Sequence, residues 1–212
     1  VLLNRVTISA QQNRFNEGAK IDLIDSTLLH CSLSNNVGEL LSRSSSVILK
    51  NYGSEGMSSS LSLRGGGSTR TQISWEGFPL NSNSSGENNM SLVPVTGFNQ
   101  IEIDYSASAT NFGSGTFGGA VTLKHTPIWK KQAKASYFAS VGSFDTYKTN
   151  IGYTVGNMRL QYSGTVFFSE SESDYEYYDY IRLENLKRKH ADYYKYGTIQ
   201  NIHARITNHL YA

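Results

Sequence analysis

The second part of the chain, from residue 128 onward, alternates apolar and polar residues with a period of two. Ile151 and Tyr153 fall on one side of a predicted strand, and Gly152 and Thr154 fall on the other. Because successive side chains of a strand point to opposite faces, this alternation predicts strands with one apolar and one polar face. Four such strands of about ten residues each are predicted, at 133–141, 147–155, 158–168 and 201–210.

Short turns at 142–145 and 156–157 join these strands, and one long segment, Ser169–Tyr196, precedes the last of them. Long strands with an apolar outside, a polar inside and connections of alternating length are typical of a transmembrane β-barrel. A soluble antiparallel sheet with one wet face is the alternative. The predicted strands are long for a soluble protein, and Tyr and Phe gather towards their ends, which favours the barrel.

The first part of the chain, up to Pro127, has shorter apolar runs that are separated by Gly- and Ser-rich turns. This pattern predicts a small α+β domain, with a mixed sheet and two short helices. The predicted strands lie at 21–25, 47–52, 60–64, 72–76, 101–105 and 120–125.

The two helices are predicted from their capping residues. Ser26 or Thr27 can cap a first helix that ends at Cys31, and Asn35 or Asn36 can cap a second one over 37–43. Ser, Thr and Asn are favoured at this position because their side-chain oxygens accept hydrogen bonds from the first free backbone N–H groups.

Composition narrows the class of function. The net charge is only +2, and no basic run is interleaved with aromatic residues, so we expect no nucleic-acid partner. No apolar run approaches the roughly 20 residues of a spanning helix, and no signal segment opens the sequence.

The five His residues share no metal-ligand spacing, and no Ser lies in a nucleophile elbow, so we expect no enzyme. The single Cys31 is expected to be a small buried hydrophobe.

Residues 58–81 carry the most specific pattern in the chain, SSSLSLRGGGSTRTQISWEGFPLN. A strand ends in Arg-Gly, a turn and a second strand follow, and then come Trp-Glu-Gly and Pro-Leu-Asn. This pattern resembles the central plug motif of TonB-dependent outer-membrane receptors. The RGGGSTR turn lacks the lysine arrangement of a phosphate-binding loop, and no helix is predicted to follow it, so a nucleotide site is not expected.

Further plug motifs follow in order along the chain. Asn36–Leu41 resembles the family's helix before the first core strand, and Ser91–Pro94 resembles its "SLIP" turn. Ile101–Ile103 resembles the strand that carries the family's Ile-Glu pair, and 112–123 resembles the Gly-rich closing motif. The resemblance implies structural roles within the plug for Arg64, Gly65, Trp75, Gly77, Glu102, Gly113, Gly118 and Gly119.

One position departs from the family pattern, and another suggests a subgroup. Ser106-Ala107 stands where the family usually has Gly-Pro, so that loop is expected to differ in shape. The Trp75-Glu76-Gly77 spelling, with the Ser- and Asn-rich loop after it, is most similar to vitamin B12 (cobalamin) receptor-like members from Bacteroidetes-type bacteria.

The first residues also resemble a family motif. Residues 3–10, LNRVTISA, are similar to the TonB box that opens the vitamin B12 receptor plug. An extended, β-branched segment suits strand addition to a partner sheet, because main-chain hydrogen bonds supply the affinity. An ordinary first strand of the plug is the alternative. The resemblance implies that TonB binds Leu3, Asn4, Arg5, Val6, Thr7, Ile8, Ser9 and Ala10.

The function that the resemblance implies is active uptake without catalysis. A scarce ligand, such as cobalamin, a siderophore or another metal chelate, binds the outer face of the plug. TonB then pulls the TonB box, the plug partly rearranges, and the ligand passes. Three loops rich in Asn and Ser match the family's ligand contacts, although solvated turns are the alternative. The implied contacts are Asn51, Tyr52, Ser54, Glu55, Met57, Asn81, Ser82, Asn83, Ser84, Ser85, Asn88, Asn89, Ser106, Ser108, Thr110, Asn111 and Phe112.

The long segment between the third and fourth predicted strands is rich in carboxylates and Tyr. Clustered carboxylates can hold Ca²⁺, and the resemblance implies such a site in the equivalent loop of vitamin B12 receptors. The downstream run Lys187–His190 is basic where those relatives are acidic, so a solvated loop that pairs its own charges is the alternative. The candidate ligands of Ca²⁺, the single possible cofactor, are Glu172, Asp174, Glu176 and Asp179.

The resemblance divides the chain into a TonB-box-like segment (1–12), a plug domain (13–127) and the first four barrel strands (128–212). A plug-filled barrel takes about 22 strands, so roughly 18 are expected outside this sequence. The implied location is the outer membrane of a Gram-negative bacterium. The implied partners are TonB, a small-molecule ligand, the lipid bilayer and a surface lipoprotein. A surface ligand-binding receptor or accessory subunit without active transport is the alternative function.

Overall fold

The computed structural model describes residues 20–24, 26–33, 36–53, 57–105, 116–207 and 210–211. These residues form an N-terminal domain that ends at Lys124 and a long-stranded sheet that begins at Gln132, here called the wall. The elements of the N-terminal domain are β1 (Ile21–Ile24), α1 (Ser26–Cys31), α2 (Val37–Ser44), β2 (Ile48–Asn51), β3 (Ser59–Ser62), β4 (Thr71–Trp75), β5 (Phe78–Pro79), β6 (Gln100–Asp104) and β7 (Gly119–Lys124).

The N-terminal domain is built on a five-stranded sheet in the order β1-β6-β7-β4-β5. The β4–β7 pair is parallel and the other pairs are antiparallel, so the sheet is mixed, as predicted. β2 and β3 form a separate hairpin. Fully buried apolar side chains join this sheet, the hairpin and α2 into one core, and they include Leu41, Leu61, Ile73, Ile101, Ile103 and Leu123.

Helix α2 begins where the sequence places it. Asn36 is its N-cap, and the Asn36 Oδ1 accepts a hydrogen bond from the Glu39 backbone N–H at 2.9 Å. Val37, Leu40 and Leu41 are buried on one face of the helix, and Arg43 lies in its last turn. The prediction that Cys31 is a buried hydrophobe is wrong, because this last residue of α1 is exposed. Leu29, two positions earlier, takes the buried side of that short helix.

The wall contains four long antiparallel strands and a short fifth one, in the order β14-β13-β10-β9-β8. The predicted fold class, an α+β plug followed by antiparallel strands like the first strands of a barrel, is therefore confirmed. None of the described helices is long and apolar enough to cross a membrane. The strands of this part are β8 (Gln132–Gly142), β9 (Thr146–Gly156), β10 (Leu160–Ser171), β11 (Glu176–Asp179), β12 (Glu184–Lys187), β13 (Tyr193–Thr207) and β14 (Leu210–Tyr211).

Predicted boundaries of the third and fourth long strands of the wall are wrong. The third strand begins at Leu160 and not at Met158, because the Asn157 Oδ1 accepts hydrogen bonds from the Arg159 and Leu160 N–H groups, at 2.7 and 2.9 Å. The segment 169–196 is not one long loop. β10 continues into it, β13 starts inside it, and β11 and β12 pair as a hairpin between them.

The two faces of the wall have opposite environments. Gln161 and Ser163 of β10 are 2% and 3% exposed, whereas Tyr162 and Val166 of the same strand are 40% and 47% exposed. The polar face of β10 is therefore buried against the N-terminal domain, and its apolar face is uncovered. In a soluble sheet the apolar face is the buried one. The opposite arrangement is expected of barrel strands whose outer face contacts lipid.

Candidate functional site: ligand face and plug–wall contact

The contact between the N-terminal domain and the wall is centred on a short 3₁₀ turn, Val95–Gly97. The Thr96 Oγ1 donates to the Asn150 Oδ1 on β9 at 3.4 Å, and the Thr96 carbonyl accepts from the Thr165 Oγ1 on β10 at 3.0 Å. The Asn150 Nδ2 donates in turn to the Leu33 carbonyl at 3.3 Å. Short polar side chains of two wall strands thus hold this turn.

One apolar side chain of the wall enters the core of the N-terminal domain. Ile199 of β13 is 8% exposed and packs over Gly97. A Cβ atom on Gly97 would overlap the Ile199 Cδ1, so Ile199 would have to shift if any other residue stood at position 97. Phe167 of β10 packs against the same core from the wall. The contact therefore combines polar bonds with a small apolar anchor.

A second contact lies where the chain passes from the N-terminal domain into the wall, here called the proximal end. The His125 Nδ1 is 3.4 Å from the His203 Nε2 of β13, and the two rings are nearly parallel, at 16°. The His125 Nε2 is 3.2 Å from the Ser163 Oγ, and the His125 backbone N–H donates to the Glu76 carboxylate. Gln161 accepts from the Ile128 N–H at 2.9 Å.

Burial lowers the pKa of the His125 imidazole, and the nearby His203 ring lowers it further, although Glu76 acts in the opposite direction. His125 is therefore neutral at neutral pH. Sequence reasoning missed this pair, because the two histidines are 78 residues apart and share no motif. The available signal was weak: His203 falls on the polar face of its strand, and His125 follows β7 directly.

The opposite end of the wall, here called the distal end, carries the hairpin β11–β12 and the turn between β8 and β9. The β2–β3 loop of the N-terminal domain points to this end, since a Cβ on Gly53 would lie 3.6 Å from the Arg188 guanidinium. Tyr52 and Met57 in that loop are exposed, at 62% and 44%, and Asn51 is exposed as well. These predicted ligand residues are accessible from the distal end.

Three predicted ligand residues instead bond to the backbone of the N-terminal domain. Asn81 accepts from the Ile73 N–H at 2.8 Å and donates to the Thr71 carbonyl at 2.9 Å. Asn88 is buried, and it accepts from the Leu61 N–H at 2.7 Å and donates to the Leu61 carbonyl at 3.2 Å. The Asn89 Oδ1 likewise accepts from the backbone N–H of β3's first residue, at 3.2 Å. Their amides hold strands together.

The serines and Asn83 between these asparagines have a different environment. Ser82, Asn83, Ser84 and Ser85 are exposed, and the turn closes through a hydrogen bond from the Gly86 N–H to the Ser82 carbonyl at 2.8 Å. Their side chains are available to a polar ligand. The predicted residues Ser54, Glu55, Ser106, Ser108, Thr110, Asn111, Phe112, Gly113 and the TonB-box-like Leu3–Ala10 lie outside the described residues.

The residues of the predicted plug motifs make specific contacts. The Arg64 guanidinium donates to the Tyr105 carbonyl at 2.6 Å, and Glu102 forms a 2.7 Å salt bridge with Lys124. Trp75 packs edge-on against Phe98, with ring centroids 5.9 Å apart. These contacts tie the turn after β3, strand β6 and the end of β4 to their neighbours.

Glycine is required at two positions of the same motifs, one because of its backbone conformation and one because of close packing. Gly65 has a φ of +72°, which a side chain would strain. Gly118 packs so closely that a Cβ would lie 2.8 Å from the Arg70 carbonyl oxygen. Gly77, at φ +86°, and Gly119, at φ +133°, also adopt conformations that favour glycine.

The acidic candidates for Ca²⁺ do not converge. Asp174 forms a salt bridge with Lys187, and this partner lowers the pKa of its carboxyl. Asp179 accepts from the backbone of the following turn and lies 3.9 Å from Arg182. Within the described part of the chain, no three His, Cys, Asp or Glu side chains are grouped as metal ligands. The geometry favours paired charges, and Ca²⁺ binding by Glu172, Asp174, Glu176 and Asp179 stays a prediction.

Comparisons with known proteins agree with this architecture. Residues 14–120 match the family described as TonB-dependent Receptor Plug Domain. The vitamin B12 transporter BtuB of Vibrio vulnificus (strain YJ016) is 27% identical over 128 residues, which are 60% of this chain and 21% of that protein. The chain therefore spans about a fifth of the length of this curated relative.

Two solved structures have the same fold. The siderophore receptor PirA from Acinetobacter baumannii superposes with a TM-score of 0.68 at 19% identity, over 96% of this chain and 31% of that one. The copper transporter OprC superposes with a TM-score of 0.66 at 12% identity, over 88% of this chain and 29% of that one. The three similar proteins are named for three different cargoes.

Proposed function

The chain belongs to the family of TonB-dependent receptors through its plug domain, and we propose that it opens a receptor that takes up a scarce ligand across the outer membrane of a Gram-negative bacterium. The N-terminal domain is then the plug, and the wall is the first part of the barrel that surrounds it. The chain acts by binding and movement, without catalysis.

One observation carries this proposal: strand β10 of the wall buries its polar face against the plug, and the apolar face of the wall is uncovered. Val166, Ile151 and Ile202 are exposed at 47%, 51% and 68% on three neighbouring strands. A continuous apolar surface of this kind is costly in water and stable in lipid. The distal end then faces the outside of the cell, where the exposed loops of the plug meet the ligand.

The plug–wall contact suits a plug that must move. Most of its bonds join hydroxyl, amide and carbonyl groups, as at Thr96, Asn150 and Thr165. Such bonds are exchanged for bonds to water when the plug shifts, so each contributes only about 0.5–1.5 kcal/mol. TonB, bound by strand addition to Leu3–Ala10, is the proposed source of the pull, since the outer membrane holds no nucleotide supply.

The ligand is proposed to be cobalamin or a metal chelate such as a siderophore. The similarity to a vitamin B12 transporter over 60% of the chain supports cobalamin, and the fold of a siderophore receptor supports a chelate. The exposed Ser82–Ser85 turn, with Tyr52 and Met57, offers hydroxyl, aromatic and thioether groups and no fixed charge. These groups suit a large, mostly neutral ligand.

Deletion of Val1–Ala10 tests the transport claim. Cells that make the complete receptor are given radiolabelled cyanocobalamin or ferric enterobactin, and surface binding and uptake are measured separately. We expect binding to persist and uptake to be lost, with a scrambled ten-residue segment behaving like the deletion. Uptake at the unmodified rate after deletion would show that the receptor does not depend on TonB, and binding with no uptake by the unmodified receptor would indicate an accessory ligand-binding subunit.

A further inference from the structure

His125 and His203 face each other across the proximal contact between the plug and the wall. The His125 Nδ1 and the His203 Nε2 are 3.4 Å apart, and the ring centroids are 5.6 Å apart. Because the centroids are much farther apart than the nitrogens, the rings meet edge to edge, with one nitrogen of each ring pointing at the other. Both side chains are partly exposed, so ions in solution reach them.

The spacing of these two nitrogens fits a shared metal ion. Zn²⁺ binds imidazole nitrogen at about 2.0–2.1 Å with tetrahedral angles, which places two nitrogens of one ion about 3.3–3.4 Å apart. The observed 3.4 Å therefore requires only rotation of the rings, to aim both lone pairs at an ion beside the line that joins them. Imidazole suits Zn²⁺, Cu²⁺ and Ni²⁺, whereas Ca²⁺ and Mg²⁺ take oxygen ligands.

The surroundings of His125 support this role. Its Nε2 is 3.2 Å from the Ser163 Oγ on β10, so a proton on Nε2 that bonds this oxygen leaves Nδ1 unprotonated towards His203. Metal-binding histidines commonly donate their second ring N–H to an oxygen, which fixes the tautomer and the ring orientation. The Glu76 carboxylate accepts from the His125 backbone N–H and acts on the charge of the ring, so a negative charge lies beside the pair.

Two protein ligands leave half of a tetrahedral shell to water. Within the described ranges, no third His, Cys, Asp or Glu side chain is grouped with the pair as a metal ligand. A cavity of about 320 Å³ between the plug and the wall adjoins His125, and amides and hydroxyls such as Asn99, Gln161 and Ser163 line it. These groups can hydrogen-bond metal-bound water. The arrangement fits an exchangeable ion better than a closed structural Zn²⁺ site, which has four protein ligands.

We propose that His125 and His203 form a site for a divalent ion of the Zn²⁺ class, and that the bound ion ties the plug to the wall and slows uptake. The covalent connection from the plug enters the wall at β8, whereas His203 lies on β13, three strands away. At about 4.8 Å per strand, the two ties are about 14 Å apart. A plug held at two separate points resists turning about its covalent connection. The effect on uptake rests on the proposed transport function, and metal binding does not.

Equilibrium dialysis of the purified complete receptor against Zn²⁺ at neutral pH tests the site without transport. His203→Gln removes one nitrogen, and His190→Gln, at an exposed histidine before β13, is the matched control. We expect His203→Gln to weaken one Zn²⁺ site about tenfold or more, since loss of a residue that only supports a metal ligand already costs that much. His125→Gln, a second variant in case the first does not fold, should give the same loss. Zn²⁺ binding equal to that of the unmodified receptor in both variants would overturn the site.

Thermal unfolding gives an independent readout of the same site. An ion that binds only the folded receptor raises its Tm. Added Zn²⁺ should therefore raise the Tm of the unmodified receptor and of His190→Gln more than that of His203→Gln. The same shift in all three receptors would show that the stabilising ion binds elsewhere, and would overturn the site.

Uptake with and without Zn²⁺ tests the tie. At a Zn²⁺ concentration about ten times the measured Kd, about nine-tenths of the receptors hold the ion, so uptake of cyanocobalamin or ferric enterobactin should fall about tenfold. Surface binding should stay unchanged, and uptake by His203→Gln cells should not respond, which separates the receptor from the energy supply. Bound Zn²⁺ with unchanged uptake would overturn the tie. No uptake by the unmodified receptor without Zn²⁺ would instead overturn the proposed function, and the dialysis result would still decide the site.

Discussion

At the scale of single residues, Asn88 shows that a family motif can predict a loop position without predicting which way its side chain points. The sequence places it in a loop that resembles a ligand contact, yet the structure buries its amide between the β2–β3 hairpin and β4. A loop position can be predicted from Gly, Ser and Asn content, because these residues favour turns. Whether an amide in that loop turns inward depends on backbone groups of Leu61 and Ser68, which lie 27 and 20 residues away.

Asn88→Ala is expected to destabilise the plug by about 1–3 kcal/mol, because it leaves the Leu61 N–H and carbonyl without their side-chain partner. Asn83→Ala removes the same amide from the exposed part of that loop, so it is the matched control and should change stability by less than about 0.5 kcal/mol. Urea unfolding of the two variants measures the difference. Equal stability of the two variants would mean that the buried amide is dispensable.

The His125–His203 pair predicts a pH dependence of the plug–wall contact. Burial lowers the pKa of His125 in the folded protein, so the folded state binds fewer protons than the unfolded state. The contribution to stability is therefore complete above the unfolded pKa of about 6.5, and it is lost as the pH falls from that value through the lower folded pKa.

Thermal unfolding of the receptor between pH 8 and pH 5 should show this loss, and His125→Gln should flatten the decline. The Gln side chain can still bond Ser163, and it carries no titrating proton. A variant with the same pH profile as the unmodified receptor would place the acid sensitivity elsewhere.

At the scale of elements, the period-two pattern predicted the faces of the wall correctly. The side-chain period of a strand is fixed by its geometry, so Leu160, Tyr162 and Val166 had to share a face once the strand was assigned. The β11–β12 hairpin was not predicted, because both of its faces are largely solvent-exposed and no burial imposes an alternation. Its charges pair locally instead, as in the Lys187–Asp174 salt bridge.

The exposed face of β10 is expected to lie in lipid. Val166→Lys, near the middle of this strand, should reduce the stability of the membrane-inserted receptor by about 2–4 kcal/mol, the cost of a lysine at the bilayer midplane. Glu170→Lys is the control, because it lies on the same face at the distal end of the strand. Unfolding from lipid vesicles measures both, and a tolerated lysine at position 166 would contradict insertion.

At the scale of the whole molecule, the sequence predicted the two parts and their order, but not how they meet. Element types follow from local patterns and from motifs that span a few residues. The plug–wall contact joins Thr96 to Asn150 and His125 to His203, over 54 and 78 residues. No local pattern encodes such pairs, since each residue is an ordinary polar side chain of its own strand or turn.

A reversible lock between plug and wall tests the central claim, that the plug gates uptake by moving against this wall. Thr96→Cys and Asn150→Cys, in a Cys31→Ser receptor, replace two side chains whose oxygens are 3.4 Å apart. Uptake and surface binding of cyanocobalamin or ferric enterobactin are measured after oxidation and again after reduction. We predict that oxidation abolishes uptake, leaves binding unchanged, and is reversed by the reductant. Uptake at the unlinked rate in the fully cross-linked receptor would contradict the account.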